Sequence, residues 1–341
     1  MASATGTWFQ TPEAYEFFAQ FGHDSSFASM PELFKPFVVG VACDPAGAQT
    51  HLRAVCVGYV TVEKSPLKQF LTRRAIIIGG PALADDASSE EVEALLCALK
   101  SSLLSGRDGV GLSPIYIESR NFNDYSKWKG AFAAAGFEYK AHLNFHVDCR
   151  DKEVMWERLS ENRKRQIKKG KPNPSPSLKG RDVSEADIRE WYAILAELYR
   201  TKVKTPLWSV EFFLEAYRQG VGKFLLVKHE GRIIGGNMVV VWKPEEKLGT
   251  VYEWFECGLN AEYKEQYPSV MATWAGITLA HETGCARYDM MGAGEPGVPY
   301  GVRDFKSEFG GELVEHGRFL CVNKPMLYRL GKLGVKILKR K

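Results

Sequence analysis

Short β-branched runs alternate with amphipathic helical runs along most of this chain, and the alternation occurs twice, which restricts the fold to mixed α/β sheets flanked by helices. In the first half, Val38, Val39 and Val41 and then residues 52–60 lie on either side of a Pro/Gly turn and read as a hairpin. Ala75, Ile76, Ile77 and Ile78 form a further strand, ended by Gly79, Gly80 and Pro81. Ser88 or Ser89 caps a helix whose Glu90 and Glu91 suit its positive end, with Val92, Leu95, Leu96, Leu99 and Leu103 as its apolar stripe. Residues 115–118 read as strand, 125–135 as a helix stopped by Gly136, and 139–147 as strand.

The second half repeats the pattern. Helices are expected over 152–169, 185–202 and about 210–219, strands over 223–229, 232–242 and 249–257, a helix over 269–283, and closing strands over 287–290 and 319–321. Pro172, Pro174 and Pro176 make 170–177 a loop. At 341 residues the chain exceeds what one core usually holds, so two domains are expected. They are placed at 1–150 and 151–323, with a basic tail or helix over 324–341.

The formal net charge of +4 is too small to imply nucleic-acid binding by itself, but cations cluster at 158–171 and 329–341. Either cluster suits phosphates or an anionic membrane surface, or is simply a solvated helical face. The N-terminus lacks the pattern of a secretion signal, and no apolar run approaches the ~20 residues that span a bilayer, so a cytoplasmic protein is expected. Seven scattered cysteines without a CxxC pair, and no clustered histidines, favour reduced core thiols over disulfides or a zinc site.

The most chemically suggestive stretch follows a Gly/Pro loop over 291–301: Arg303, Asp304, Phe305, Lys306, Ser307, Glu308, Phe309, Gly310 and Gly311. It places the cation of Lys306 between two aromatic residues, after a loop whose glycines let backbone approach a ligand. The competing reading is a surface hairpin with a solvated Lys306 and core phenylalanines.

Pro268, Trp274, Ala280, Gly284, Cys285, Tyr288, Asp289 and Gly292, followed by Phe305, Lys306, Phe309 and Gly310, resemble the signature of the Fem-type (FemABX) peptidyltransferases. Leu159 with residues 162–169 is similar to the basic helix that opens their second domain. The resemblance covers most of 150–323 and, more loosely, 20–147. It implies two tandem GNAT-like domains (acyl-CoA N-acyltransferase-like), with substrates meeting in a shared cleft. It also implies transfer of an amino acid from aminoacyl-tRNA to the peptide amine of a nucleotide- or lipid-linked peptidoglycan precursor. No metal and no CoA are then expected, and peripheral contact with the inner face of the membrane is compatible with it.

Aminolysis of an ester passes through a tetrahedral oxyanion, which a fixed cation stabilises. Lys306 is the expected catalytic residue, with Phe305 shaping the terminal-nucleotide pocket and Asp289, at a strand end, either orienting the amine or bonding backbone donors. Tyr252 and Trp254 are expected on one face of their strand, lining the cleft or filling core. Lys35, Arg163, Lys204, Tyr300 and Arg303 complete the expected substrate-binding set. Lys35 matches the family's precursor-binding lysine only loosely, and Lys204 stands in a Lys-Val-Lys-Thr-Pro run (residues 202–206) where the family carries Arg-Asp.

Two other functions compete. An acyl-CoA-dependent N-acyltransferase would need a Gly-rich pyrophosphate loop at a helix N-terminus, whereas residues 261–269 contain no glycine. A non-catalytic RNA- or membrane-binding module would use residues 326–341, where Leu327, Leu330, Leu333, Ile337 and Leu338 interleave with Arg329, Lys332, Lys336 and Lys339.

Overall fold

The computed structural model describes residues 3, 5–23, 32–43, 51–63, 72–105, 113–170, 183–245 and 248–338. The expected proline-rich loop over 170–177 falls, but for Gly170, outside them, as does the turn of the first hairpin. The chain divides into two compact units, Met1–His142 with Glu315–Lys341, and Leu143–Val314.

The first unit contains α1 (Pro12–His23), β1 (Glu32–Cys43), β2 (His51–Glu63), β3 (Arg74–Gly79), β4 (Ala82–Leu83), α2 (Ser89–Ser105), β5 (Tyr116–Asn121), α3 (Lys129–Ala134) and β6 (Glu138–Lys140). Ser88 caps α2 by a reciprocal pair, the Glu91 N–H donating to Ser88 Oγ (3.2 Å) and the Ser88 N–H to Glu91 Oε2 (2.8 Å). Val92, Leu95, Leu96, Leu99 and Leu103 are buried as their spacing requires. The helix α2 carries the chain from β3 to β5, which pair in parallel from Arg74↔Tyr116 to Gly79↔Asn121.

Among the described residues the sheet order is β1-β2-β3-β5, then a strand β13 (Arg318–Val322), then β6, with β4 paired to β2. Strand β13 comes from the far end of the chain and pairs antiparallel with both β5 and β6. Glu118 of β5 fastens it, bonding Arg318 and Arg120 at 2.9 Å each.

The strands of the second unit are β7 (Leu143–Asp148), β8 (Lys223–His229), β9 (Arg232–Trp242), β10 (Gly249–Gly258), β11 (Cys285–Gly292) and β12 (Glu312–Glu315). Among the described residues they form one sheet in the order β12-β7-β11-β10-β9-β8. The unit's helices are α4 (Lys152–Arg158), α5 (Glu161–Lys169), α6 (Glu185–Leu198), α7 (Val210–Arg218), α8 (Pro268–Glu282) and α9 (Gly301–Ser307). A last helix, α10 (Pro325–Leu338), belongs to the first unit.

Several expectations need correction. The boundary lies between His142 and Leu143 rather than at 150, because residues 139–147 are two strands in two different sheets. Residues 319–321 close the first unit's sheet, not the second's. The expected helix over 152–169 breaks at Leu159, where Ser160 caps a new helix by accepting the Arg163 N–H (3.1 Å). The helix from Glu185 ends at Leu198 in a π-turn, Tyr199–Val203. The helices α1 and α9 were not anticipated.

Five described cysteines, Cys56, Cys149, Cys257, Cys285 and Cys321, are buried free thiols, while Cys97 is exposed. No helix among the described residues is long and apolar enough to cross a membrane.

The second unit's core lies between α8 and the sheet face carrying Val239, Val251 and Tyr288. Gly276 of α8 sits against Tyr288, so closely that a Cβ there would stand 2.3 Å from the phenol oxygen. Alanine in place of a helical glycine ordinarily stabilises by about 0.5–1 kcal/mol. At Gly276 overpacking should reverse the sign, lowering stability by about 1–3 kcal/mol. Urea unfolding of Gly276→Ala, beside Gly130→Ala in α3 where a Cβ meets nothing within 4 Å, measures the contrast.

Candidate functional site

The candidate site grows from a lapse in strand pairing. β10 and β11 run parallel and pair from Gly249↔Cys285 to Tyr252↔Asp289, and there the ladder stops. β10 continues to Gly258 paired with β9. β11 turns away at Met291, whose φ of 60° is left-handed, and rejoins β7 at Gly292↔Asn144. Carbonyls at this bend lose their strand partners and need other donors.

Lys306 supplies them. Its Nζ donates to the carbonyl oxygens of Met290 and of Gly292 (3.0 Å for the latter). An ammonium has three N–H groups, so two carbonyls leave one uncommitted. The side chain is 8% exposed and rides on α9, a short helix that follows the Gly/Pro loop. Burial lowers its pKa, while the charges of Glu253, Asp289 and Glu256 pull the other way.

A bulge in β10 sets the carboxylates. Glu253 pairs with Val239, but Phe255 pairs with Met238 and Glu256 with Asn237, so Trp254 is the extra residue. Strict alternation would put Glu253 and Glu256 on opposite faces; the inserted residue puts both on the face carrying Asn237, Val239 and Tyr288. Tyr288 Oη donates to Glu253 Oε2 (2.6 Å) and accepts from Asn237 Nδ2 (3.2 Å).

Burial raises the Glu253 carboxyl against the opposing pull of Lys306 and Tyr288. Burial and then the charge of Glu253 push Glu256 up to about 7. Glu256 is partly exposed as a residue, yet its Oε1 is enclosed without a hydrogen-bond partner. A buried cation can stabilise a developing anion, while a carboxyl that acts on it electrostatically and titrates near neutrality can accept a proton.

Asp289, expected at the catalytic centre, is fully buried on the other face of the sheet, level with Tyr252. It accepts the Met291 N–H (2.8 Å) and lies 3.3 Å from His146 Nε2. Burial opposes its charge, but His146, Arg287 and the Met291 N–H hold the carboxyl below its ordinary range. Its observed work is to fix the bend of β11.

The cation between the phenylalanines is not Lys306. The guanidinium of Arg163 stacks 4.4 Å from the Phe305 ring centre and 4.8 Å from that of Phe309. Arg163 is 5% exposed and donates to the Phe305 carbonyl (3.1 Å) and to Gln166 Oε1 (2.5 Å). It is therefore a clamp on the α9 loop rather than a surface contact. Glu308 strengthens that clamp, its carbonyl taking the Ser160 N–H (3.0 Å) and its carboxylate bonding Ser160 Oγ and Asn162. Phe305 accordingly spends its ring on Arg163, and Phe309 is core.

Arg303 likewise donates to loop carbonyls, of Ala293 (2.9 Å), Val298 (3.1 Å) and Glu295. Tyr300 begins α9 and is exposed. Tyr252 is fully buried, and Trp254 packs edge-on against Trp208 and Phe212. The bulge separates these two aromatics from the common face expected of them. Lys204 is exposed in a left-handed conformation (φ 54°) just after the π-turn. Lys35 lies on β1 opposite Val60 in the first unit, whereas Lys306 belongs to the second.

At the start of α8, Pro268 has no N–H, and the Ser269 N–H is taken by Asn260 Oδ1 (3.1 Å). Among the described residues no group of three or more His, Cys, Asp or Glu is placed to hold a metal ion.

Residues 157–307 match the family described as Acetyltransferase (GNAT) domain. A crystal structure of FemX aligns at TM-score 0.65 and 13% identity, covering 96% of this chain and 95% of that one. The structure of L-PGS from Bacillus licheniformis aligns at TM-score 0.48 and 14% identity, over 95% of this chain and 97% of that one. A tandem GNAT protein from the clavulanic acid pathway aligns at TM-score 0.48 and 9% identity, over 84% of this chain and 83% of that one. No curated protein matches. The fold is GNAT-like, and the matched segment is a domain of the acyltransferase kind.

Arg163→Lys keeps the charge but loses the planar fork, so it should lower folding stability by about 1–3 kcal/mol. Urea unfolding checks this, and a variant as stable as the wild type would restore Arg163 to the surface.

Proposed function

We propose that this chain is an aminoacyltransferase, moving an amino acid from aminoacyl-tRNA to the peptide amine of a peptidoglycan precursor. The observation that carries the reading is Lys306, held at the β10–β11 lapse by two carbonyls with one N–H uncommitted. The Fem-type residues from Pro268 to Gly310 and the FemX-like fold support the donor and acceptor classes.

In this reading the free amine attacks the ester carbonyl and forms the C–N bond, while the carbonyl electron pair moves onto oxygen. The remaining N–H of Lys306 meets that oxyanion. Glu256, ionised above about pH 7, takes the proton shed by the amine. Collapse restores the carbonyl and breaks the bond to the ribose oxygen, which leaves as a hydroxyl with that proton. Glu253, bonded to Tyr288, keeps a second acid beside Glu256 and so maintains its high pKa.

The family description favours one second reading, an acyl-CoA-dependent N-acyltransferase. The start of α8 speaks against it, since pyrophosphate binding uses consecutive free backbone N–H groups, and Asn260 occupies that of Ser269 beside Pro268. Acetyl-CoA should therefore leave the melting temperature unchanged, and a clear rise would favour the CoA reading.

The direct test incubates charged tRNA pools with soluble or lipid-linked wall precursor and reads the mass added. Lys306→Met should reduce kcat about 100- to 1000-fold while the protein stays folded by circular dichroism; near-normal turnover would end the proposal. For the wild type, kcat/KM should fall as pH drops through about 7, because the base is protonated below its pKa. Glu256→Gln should lower the rate about 100-fold or more and abolish that acid limb.

A further inference from the structure

The helix α10 has no part in the reaction proposed above, yet its described surface is one-sided. Its start is tied down: Asn323 Nδ2 donates to the Pro114 carbonyl (3.3 Å), Lys324 Nζ to the Ser113 carbonyl (3.0 Å), and the Tyr328 ring meets Tyr116 edge-on at 5.5 Å. The opposite side carries Met326, Leu330 and Leu333, which are 75%, 59% and 56% exposed. Their spacing of four and then three residues lines them up along one face. In sequence the same line continues with Ile337.

Charge is equally one-sided. From Pro325 to the last residue the sequence holds Arg329, Lys332, Lys336, Lys339, Arg340 and Lys341 and no acid. Arg329 and Lys332 are exposed, and on a helical projection they border the apolar line on one side. Exposed leucines in register contribute nothing to phosphate contacts on RNA. A run of cations without a single anion suits a uniformly negative surface better than the mixed charges of a typical protein partner.

We propose that α10 lies in the interfacial plane of an anionic lipid bilayer, with Met326, Leu330 and Leu333 entering the acyl boundary and Arg329 and Lys332 meeting the headgroups. The helix is too short and too charged to span. The proposal does not depend on the chemistry assigned to Lys306.

The test is flotation of the full-length protein with phosphatidylcholine vesicles, with and without phosphatidylglycerol, at low and moderate salt. Binding is expected to the anionic vesicles only, weakening as salt rises. The Leu330→Ser, Leu333→Ser double variant should lose binding at least tenfold, and Arg329→Gln, Lys332→Gln should lose about fivefold per cation removed. All variants should keep the wild-type melting temperature, since the substituted side chains face solvent.

Absence of binding to anionic vesicles would overturn the proposal. So would a serine variant that binds like wild type, because the apolar line would then play no part. If tRNA displaces the protein from vesicles and the serine variant is unaffected, the cations serve RNA and the lipid assignment fails.

Discussion

Two parallel strands that part company force the rest of the second unit's architecture. Once β11 bends at Met291, the carbonyls of Met290 and Gly292 no longer lie in a ladder with β10, and burying unpaired carbonyls costs about 1–3 kcal/mol each. The Lys306 ammonium closes that gap, but only because α9 is held in place. Arg163 stacked on two rings, Glu308 bonded to the start of α5, and Arg303 strung across the loop carbonyls fix the helix from three directions. A cation this enclosed is tolerable only with compensating polar groups nearby, and Glu253, Glu256 and Asp289 provide them.

The acids are not equivalent, and their difference follows from which face each occupies. Asp289 sees His146 and Arg287 and stays ionised, anchoring the bend. Glu253 and Glu256 share the opposite face with each other, so burial and mutual repulsion hold a proton there near neutral pH. One sheet thus offers a fixed negative charge for structure on one side and a titratable pair for chemistry on the other.

Much of the fold was legible in the residues because it depends on short-range pattern. Ile76, Ile77 and Ile78, the leucine stripe of α2 and the β-branched run of β9 each declare their element locally. The parts that escaped depend on partners distant in sequence. Nothing between Arg318 and Val322 says that its neighbours are β5 and β6. Trp254 carries no mark of a bulge, so strict alternation misassigned Tyr252 and Trp254 to one face and hid the pairing of Glu253 with Glu256. Around Lys306 the motif located the right segment, yet which cation lies between Phe305 and Phe309 was settled by Arg163, about 140 residues earlier in the chain. The seven residues of α9, opening with Gly301, are too few to show a helical period.

The path of the chain through β13 has a consequence for synthesis. On the ribosome β5 emerges with β3 available on one side, while its other edge must await residues 318–322, which follow the whole of the second unit. Throughout that interval β5 presents unpaired backbone groups of the kind that recruit stray strands. The nascent first unit therefore cannot finish ahead of the second, and the two halves reach completion almost together, when the last strand is delivered.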